Sequence, residues 1–476
     1  MQFSVFGIIY ILLSLFFCKK KKWFTYWFVF SNSLFYTSVV VIGDFPVKPY
    51  HIATLIMFFV FVKGDLIRKF SFREKDSSVL ILFLIWIYLT FIFSFLLRNI
   101  DVIPPSQDMS DYQDLQKLHV TLGSISQTIF PLFGIFSFFV IKAYITTKQD
   151  IKDFTKGYAL SFIPLAVTVI ILFVFRNITH SSALLQGFFS FINPTYTRNV
   201  AGNKWGAIGD ISRTFTYIGE ASYTAKYYLI LISVFGGFLL YKKNSWKQKS
   251  FYLFLLLLLF ALISILGSTT GYVGLVILLI LFGFIHFRYK NVMPKPYLNS
   301  NKNFLVINIF FSILLLAPLL IIFNDQLSFF INYLFVNHVD KIEGDTGSGI
   351  VRYNTNLIAL DLFLKSPIFG VGYGHNRTNS YFTFLLSNVG IVGFCLLNFF
   401  CFYLILMPLK KLNNMPTDLK IHCIIYVIMF MISYFINFSF SSSVAIAFGW
   451  IWANAAILGA LIRWRSLEDI EKIRSL

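Results

Sequence analysis

Apolar runs close to the length of a bilayer crossing recur along the whole chain, at residues 2–18, 23–42, 51–62, 78–97, 121–141, 157–175, 221–241, 250–267, 271–287, 304–323, 379–407, 421–440 and 444–462. About 20 such residues span the hydrocarbon core as a helix. Inside lipid every backbone N–H and C=O must be paired within the protein, which leaves only helices and closed barrels. Barrel strands read as short alternating segments, so these solid runs exclude a barrel. Composition agrees: 13% of residues are charged, against about 25% in soluble domains. The expected fold is therefore an all-α polytopic integral membrane protein with 12–13 transmembrane helices. A re-entrant third run (51–62, the shortest) gives the lower count.

The net charge of +19 would suggest nucleic acid on a soluble protein. Here the charges fall in short loops and report topology, so the partner is the lipid bilayer and no nucleic acid is expected. With the N-terminus outside and the C-terminus inside, the inner loops hold 28 Lys or Arg and the outer loops 11, with Lys226 inside a helix. That is the bias the positive-inside rule requires. The run 2–18 precedes its Lys19–Lys22 cluster, the reverse of a secretory signal, so it reads as a retained helix. The last residues, 463–476, read as an interfacial helix end with Trp464 at headgroup level. The four cysteines (18, 395, 401, 423) show no metal-binding or paired spacing. No metal and no cofactor are expected.

The organisation reads as a bundle over 1–323 that includes the outer loop 176–220, a large extracytoplasmic loop over 324–378, and C-terminal helices with a short tail over 379–476. Loops this long are functional or disordered more often than not. The smaller outer loop 98–120 carries Asp101, Asp108, Asp111 and Asp114. These are read as distant from every other candidate group.

Three stretches can carry chemistry. Arg213 and Glu220 close the loop 176–220, seven residues apart, and Lys226 follows just inside the next helix. Ionisable groups at or in the membrane are functional candidates, although interfacial snorkelling also explains them. In the loop 324–378, a helix over about 350–365 would place Arg352 and Asn356 on one face at i,i+4, with Tyr353 beside them and Asp361 pointing elsewhere. Its polar face suits an anionic head group, because an Arg fork donates two parallel hydrogen bonds to phosphate. An ordinary interfacial helix is the plain alternative. Gly370-Val371-Gly372-Tyr373-Gly374 follows Pro367. A potassium filter needs four converging copies of such a loop, so this single copy reads as a tight turn at the membrane surface. His375, Arg377 and Asn379 come next, then Gly390-x-x-Gly393, which reads as a site of close helix packing.

Taken in order, Arg213…Glu220-x-Ser222, the Ser268-Thr269-Thr270 turn, and SPIFGVGYG…NSYFTFLLSNVGIVG resemble the bacterial O-antigen ligase and polymerase superfamily, in particular the Wzy-type polymerases. The resemblance covers roughly residues 200–400 by motif and the whole chain by helix pattern. The ligase branch shows a His followed by Asn, Ser or Gln, then nine residues, then GxxG. Here Asn379-Ser380 stand at those positions, nine residues before Gly390-Ile391-Val392-Gly393. The departure weakens the ligase reading and favours polymerase.

The resemblance implies a GT-C-like, metal-independent glycosyltransferase in the bacterial inner (plasma) membrane, with its site facing the periplasm or cell exterior. Its substrates would be undecaprenyl-pyrophosphate-linked oligosaccharides. A chain-length regulator and a flippase would be its partners, and O-antigen or capsule its product. On this reading Arg213 and Arg352 stabilise the leaving pyrophosphate, and Glu220, or second His375, takes the acceptor proton. Arg377, Lys226, Asn356, Asn379 and Tyr353 contact substrate. The rivals are a ligase with the same donor, a lipid-linked oligosaccharide flippase or other transporter, and a structural membrane protein. The long polar outer loops speak against a transporter.

Overall fold

The computed structural model describes residues 2–42, 45–62, 74–97, 99–105, 113–175, 188, 191–192, 216, 221–240, 246–266, 268–289, 347–440 and 447–463. Its helices are α1 (Val5–Phe17), α2 (Lys21–Ser33), α3 (Pro49–Met57), α4 (Lys75–Phe93), α5 (Leu122–Tyr144), α6 (Lys148–Phe173), α7 (Ala221–Leu240), α8 (Trp246–Leu266), α9 (Thr269–Tyr289), α10 (Gly347–Lys365), α11 (Tyr381–Lys411), α12 (Thr417–Ile432) and α13 (Gly449–Ile462). Among the described residues, eight helices are long and apolar enough to cross a membrane. The chain is thus an all-α multi-pass membrane protein. The expected run 304–323 lies outside the described residues.

The largest departure from the sequence reading is near the N-terminus. The apolar run 23–42 is not one helix. α2 stops at Ser33, and residues Val40–Ile42 form a strand, β2. β2 pairs antiparallel with β1 (Gln2–Phe3) and β3 (Phe45–Val47), in the register Val40↔Val47 and Val41↔Pro46. The cause is local. Thr37-Ser38-Val39-Val40-Val41-Ile42 is rich in β-branched side chains, which lose rotamer freedom in a helix and pack well on a pleated surface. α1 and α2 have 13 residues each. At 1.5 Å per residue each is roughly 20 Å long, short of a bilayer core.

α6 also starts earlier than the run 157–175. Thr147 accepts from the Asp150 N–H in a capping box, the arrangement that satisfies otherwise unpaired donors at a helix start. The expected loop 142–156 is therefore mostly helix.

α12 and α13 form the centre of the bundle, buried along most of their length. α7 packs against α8, α9 and α12; α4 lies along α11, α5 along α13, and α2 along α6. Several polar groups inside this core are paired across helices. Tyr158 donates to Asn454 Oδ1 (2.9 Å), Ser161 meets the Tyr227 hydroxyl (2.9 Å), and Thr155 meets His422 Nδ1 (2.9 Å).

Loops expected on one side of the membrane do meet one another. Lys142 bridges Glu74 and Asp76 (2.5 Å each), and Arg463 reaches both Glu74 and the Lys142 carbonyl. Lys21 pairs with Asp150 (2.8 Å), Lys152 with Asp418 (2.6 Å), and Lys411 donates to the Ile462 carbonyl. Every one of these groups comes from, or borders, a loop expected inside. At the other end, the expected outer loops 98–120 and 324–378 bond to each other through Ile103, Asn376 and Arg377. The alternation of loops drawn from charge alone is thus met by two separate sets of contacts.

Candidate functional site

The outer part of α11 is not a continuous helix. Gly390 adopts φ 62°, ψ −169°, a region essentially closed to residues with a Cβ. A Cβ there would overlap the carbonyl oxygen of Ile368. The interruption lets the preceding loop take over the helix's own hydrogen bonds. The Ile391 N–H donates to the Pro367 carbonyl (2.8 Å) rather than to Ser387. The Ser387 and Asn388 carbonyls, so released, accept from Val371 N–H (2.8 Å) and Gly372 N–H (3.0 Å). Broken helices near a membrane are tolerated where protein re-satisfies the freed groups. Gly370-Val371-Gly372-Tyr373-Gly374 is thus a tight turn, as expected, and one spliced into α11. Gly370 sits at φ 66°, with its missing Cβ against the Asn388 backbone.

This geometry corrects the reading of Gly390-x-x-Gly393 as a packing motif in an unbroken helix. Only Gly393 serves close packing, facing Trp86 of α4.

Asn388 is the hub of the splice, and sequence reasoning missed it. Its Oδ1 accepts from the N–H groups of His375 and Asn376 (both 3.0 Å), and its Nδ2 donates to the carbonyls of Asn376 and Phe384. Asn376 Oδ1 accepts in turn from Ile103 N–H (3.1 Å), and Arg377 N–H donates to the Ile103 carbonyl (2.9 Å). Val102, Leu118, Leu362 and Val371 close the same junction with an apolar cluster. The outer loop 98–120, expected to lie far from every candidate group, is therefore packed on this one. Asp101 pairs with Lys117 in that loop, and Asp114 is exposed. Asp108 and Asp111 lie outside the described residues. A signal for Asn388 was present: an Asn-bearing polar pair, Ser387-Asn388, inside an apolar run.

His375 is 2% exposed. Its Nδ1 faces the Gly372 carbonyl (3.2 Å), which can only accept, so the proton resides on Nδ1. Nε2 is then the lone-pair nitrogen, 3.5 Å from Ser94 Oγ, and the ring lies under Phe91. Burial lowers the pKa of His375, with a smaller push from His119, so the ring is neutral near pH 7. The ring's bonding partners are Gly372 in the loop and Ser94 just after α4, not the other sequence-predicted site residues.

α10 docks on the start of α11 through a short polar seam. Asn379 Nδ2 donates to Thr355 Oγ1 (3.1 Å), and Thr383 Oγ1 donates to Asn356 Oδ1 (2.8 Å). Ser380 Oγ reaches the Phe438 carbonyl, just after a π-helical turn at Ser433–Asn437. Arg352 lies one turn before Asn356 and is exposed, as is Tyr353. The helix expected over about 350–365 is thus present as Gly347–Lys365, and it brings Asn356 and Asn379 to one seam. Asp361 points away and pairs with Lys365 (2.6 Å). Arg377 is half-buried beside this seam.

Lys226 sits elsewhere, buried on α7 with its ammonium over the Tyr223 ring (5.2 Å). Arg213 and Glu220 lie outside the described residues. The Ser268 turn joins α8 to α9 as expected, with Gly271 N–H donating to the Ser268 carbonyl (2.9 Å).

A comparison with curated proteins finds no match. Residues 253–393, which run from α8 through α10 to just past the break in α11, match the family model described as O-antigen ligase, and this supports a place for the chain in the O-antigen ligase and polymerase superfamily.

Proposed function

We propose that this chain joins undecaprenyl-pyrophosphate-linked oligosaccharide repeat units into a surface polysaccharide on the outer face of the bacterial inner membrane. The observation that carries the reading is the polar seam at which α10, bearing Arg352, docks on the start of α11 beside the spliced loop. This seam lies within the segment matched by the family model. It belongs to the end of the bundle opposite the Lys142 and Lys152 ion pairs.

In the proposed reaction, the bond from C1 of the donor glycan to the pyrophosphate oxygen breaks. Its electron pair leaves with undecaprenyl pyrophosphate. The acceptor hydroxyl oxygen forms the new bond to C1, and its proton passes to a general base. Arg352 and Arg213 would stabilise the departing pyrophosphate, with Arg377 assisting; fixed cations in a partly dry site are a large catalytic term. Glu220 is the first choice of base. The burial of His375 beneath Phe91 counts against it in that role.

Ligation of a finished glycan to its final acceptor is the second reading. It shares the donor, and the matched family model is described as O-antigen ligase. The resemblance favours polymerisation because Asn379 stands where the ligase branch carries His. A gel of surface and lipid-linked glycans from a strain deleted for the gene separates these. A final acceptor with one repeat unit and no ladder supports polymerase. Full-length polymer stranded on the lipid carrier means ligase. Loss of all repeat units from the outer face means a flippase and ends the proposal.

A further inference from the structure

A second cluster, away from the spliced loop, is assembled from four separate segments. Phe35 follows α2; Lys48 precedes α3; Tyr223 and Lys226 open α7; and Phe448 and Trp450 flank the start of α13. The Lys48 ammonium lies 5.3 Å from the centre of the Phe35 ring. Phe35 packs on Phe448 (4.4 Å) and on the edge of Tyr223 (6.0 Å), and Phe448 stacks on Trp450 (4.4 Å). Lys226 sits over the other side of the cluster, above Tyr223. Two ammonium groups are thus bridged by two aromatic rings.

Among the described residues no carboxylate faces Lys48. Its titratable neighbour on its own element is His51, neutral because its Nδ1 accepts the Lys48 backbone N–H. Burial lowers the Lys48 pKa to about 8, the direction expected of a cation removed from water without a counter-ion. A ring face offsets only part of that desolvation.

Beneath the rings lies an independent irregularity. Asn32 and Tyr50 are each 1% exposed and meet at Gly449, where the absence of a Cβ makes room for the Asn32 amide. Neither Asn32 Nδ2, Asn32 Oδ1, Tyr50 Oη nor Trp450 Nε1 has a hydrogen-bond partner among the described residues. Buried polar atoms are nearly always paired. A group of them under an aromatic floor, beside a cation that no carboxylate faces among the described residues, has the character of a saccharide-phosphate site. Aromatic faces take the C–H side of a pyranose, amide and phenol take hydroxyls directly or through bound water, and the ammonium takes the phosphate.

We propose that Lys48, Phe35 and Tyr223, over the Asn32–Tyr50–Trp450 polar group, form a binding site for a prenyl-diphosphate-linked sugar, distinct from the Arg352 seam. The assignment rests on the polymerase reading. A polymerase holds two lipid-linked substrates at once, and only the donor gives up its pyrophosphate. The acceptor keeps its own diphosphate through the reaction and needs a separate cation to hold it.

The test uses the full chain in detergent and two probes, farnesyl diphosphate carrying one N-acetylhexosamine and farnesyl diphosphate without sugar. Native mass spectrometry and thermal shift then report stoichiometry and affinity. Wild type should bind two equivalents of the sugar-bearing probe. Lys48→Gln should bind one, with the affinity of the lost site falling about 10-fold or more, as expected when a charge-assisted bond is removed. Lys48→Arg should restore it. Lys48→Gln without ligand should be no less stable than wild type, because no ion pair among the described residues is broken. Two equivalents of unchanged affinity in Lys48→Gln overturn the site. Equal affinity for both probes overturns its sugar component. If Lys48→Gln loses one equivalent while Arg352→Ala makes wild-type polymer, the site stands and the polymerase mechanism falls.

Discussion

Replacing Gly390 with Ala tests the spliced helix directly. At φ 62°, ψ −169° the backbone lies where a side chain costs of order 1–3 kcal/mol. The added methyl would also collide with a backbone carbonyl, that of Ile368, which no side-chain rotation relieves. The least costly escape is for residues 381–389 to regain continuous helical geometry and expel the loop. That breaks the Val371–Ser387, Gly372–Asn388 and Ile391–Pro367 bonds. With each bond worth roughly 0.5–1.5 kcal/mol net, the three lost bonds come to roughly 1.5–4.5 kcal/mol, a cost that replaces the strain rather than adding to it. Gly393→Ala should cost less, because its Cβ meets side-chain atoms of Val389 and Trp86, which can shift. Hydrogen exchange read by mass spectrometry on the detergent-solubilised protein provides the assay. Gly390→Ala should expose the amides of Val371 and Gly372 and lower thermal stability, while Gly393→Ala leaves those amides protected. If Gly390→Ala kept both amides protected and its melting temperature intact, the splice would not exist as drawn.

The remaining predictions concern charge. Arg352→Ala and Arg213→Ala should each abolish long polymer with the protein still in the membrane, measured as a glycan ladder; wild-type chain lengths in both would end the pyrophosphate role. Glu220→Gln should retain binding of the sugar-bearing probe and stop transfer, and normal turnover would move the base elsewhere. Lys142→Met leaves Asp76 and Glu74 without their shared cation, and removing one partner of a buried pair costs roughly 3–5 kcal/mol; a melting temperature equal to wild type would contradict that. Lys48 loses its proton as pH rises through about 8, beside a neutral His51, so Lys48-dependent probe binding should be full at pH 7 and weak at pH 9.5. Binding that is flat over this range, with Lys48→Arg as the control that stays charged, would show that the ammonium is not the ligand.

The bundle was readable from hydropathy because crossing a membrane forces long apolar runs, and the grouping of the loops into two sets of contacts matches the grouping drawn from where Lys and Arg fall. Hydropathy could not tell Thr37–Ile42 from helix, since a strand and a helix of Val and Ile are equally apolar; only the β-branching distinguished them. At the candidate site, the helix carrying Arg352 was legible from its polar spacing and from Pro367 after it. The exchange of backbone bonds around Gly390 was not, because it involves carbonyl and amide groups that every residue carries. Asn388 acts through those same groups, which is why its place in the chain gave so little sign of its role. The proximity of Ile103 to Asn376 joins positions 273 apart in sequence, and local pattern carries no information about such a pairing.

The ion pairs of Glu74, Asp76, Lys142 and Arg463, together with Lys411 on the Ile462 carbonyl, fasten α4, α5, α11 and α13 at a single end. At the far end of α11 an amide seam joins it to α10, and a loop is threaded into it. A bundle fastened this way behaves like a clothes-peg. Its pinned end resists parting because separation would strand charges in a dry interior. Its free end can part by exchanging one amide partner for another.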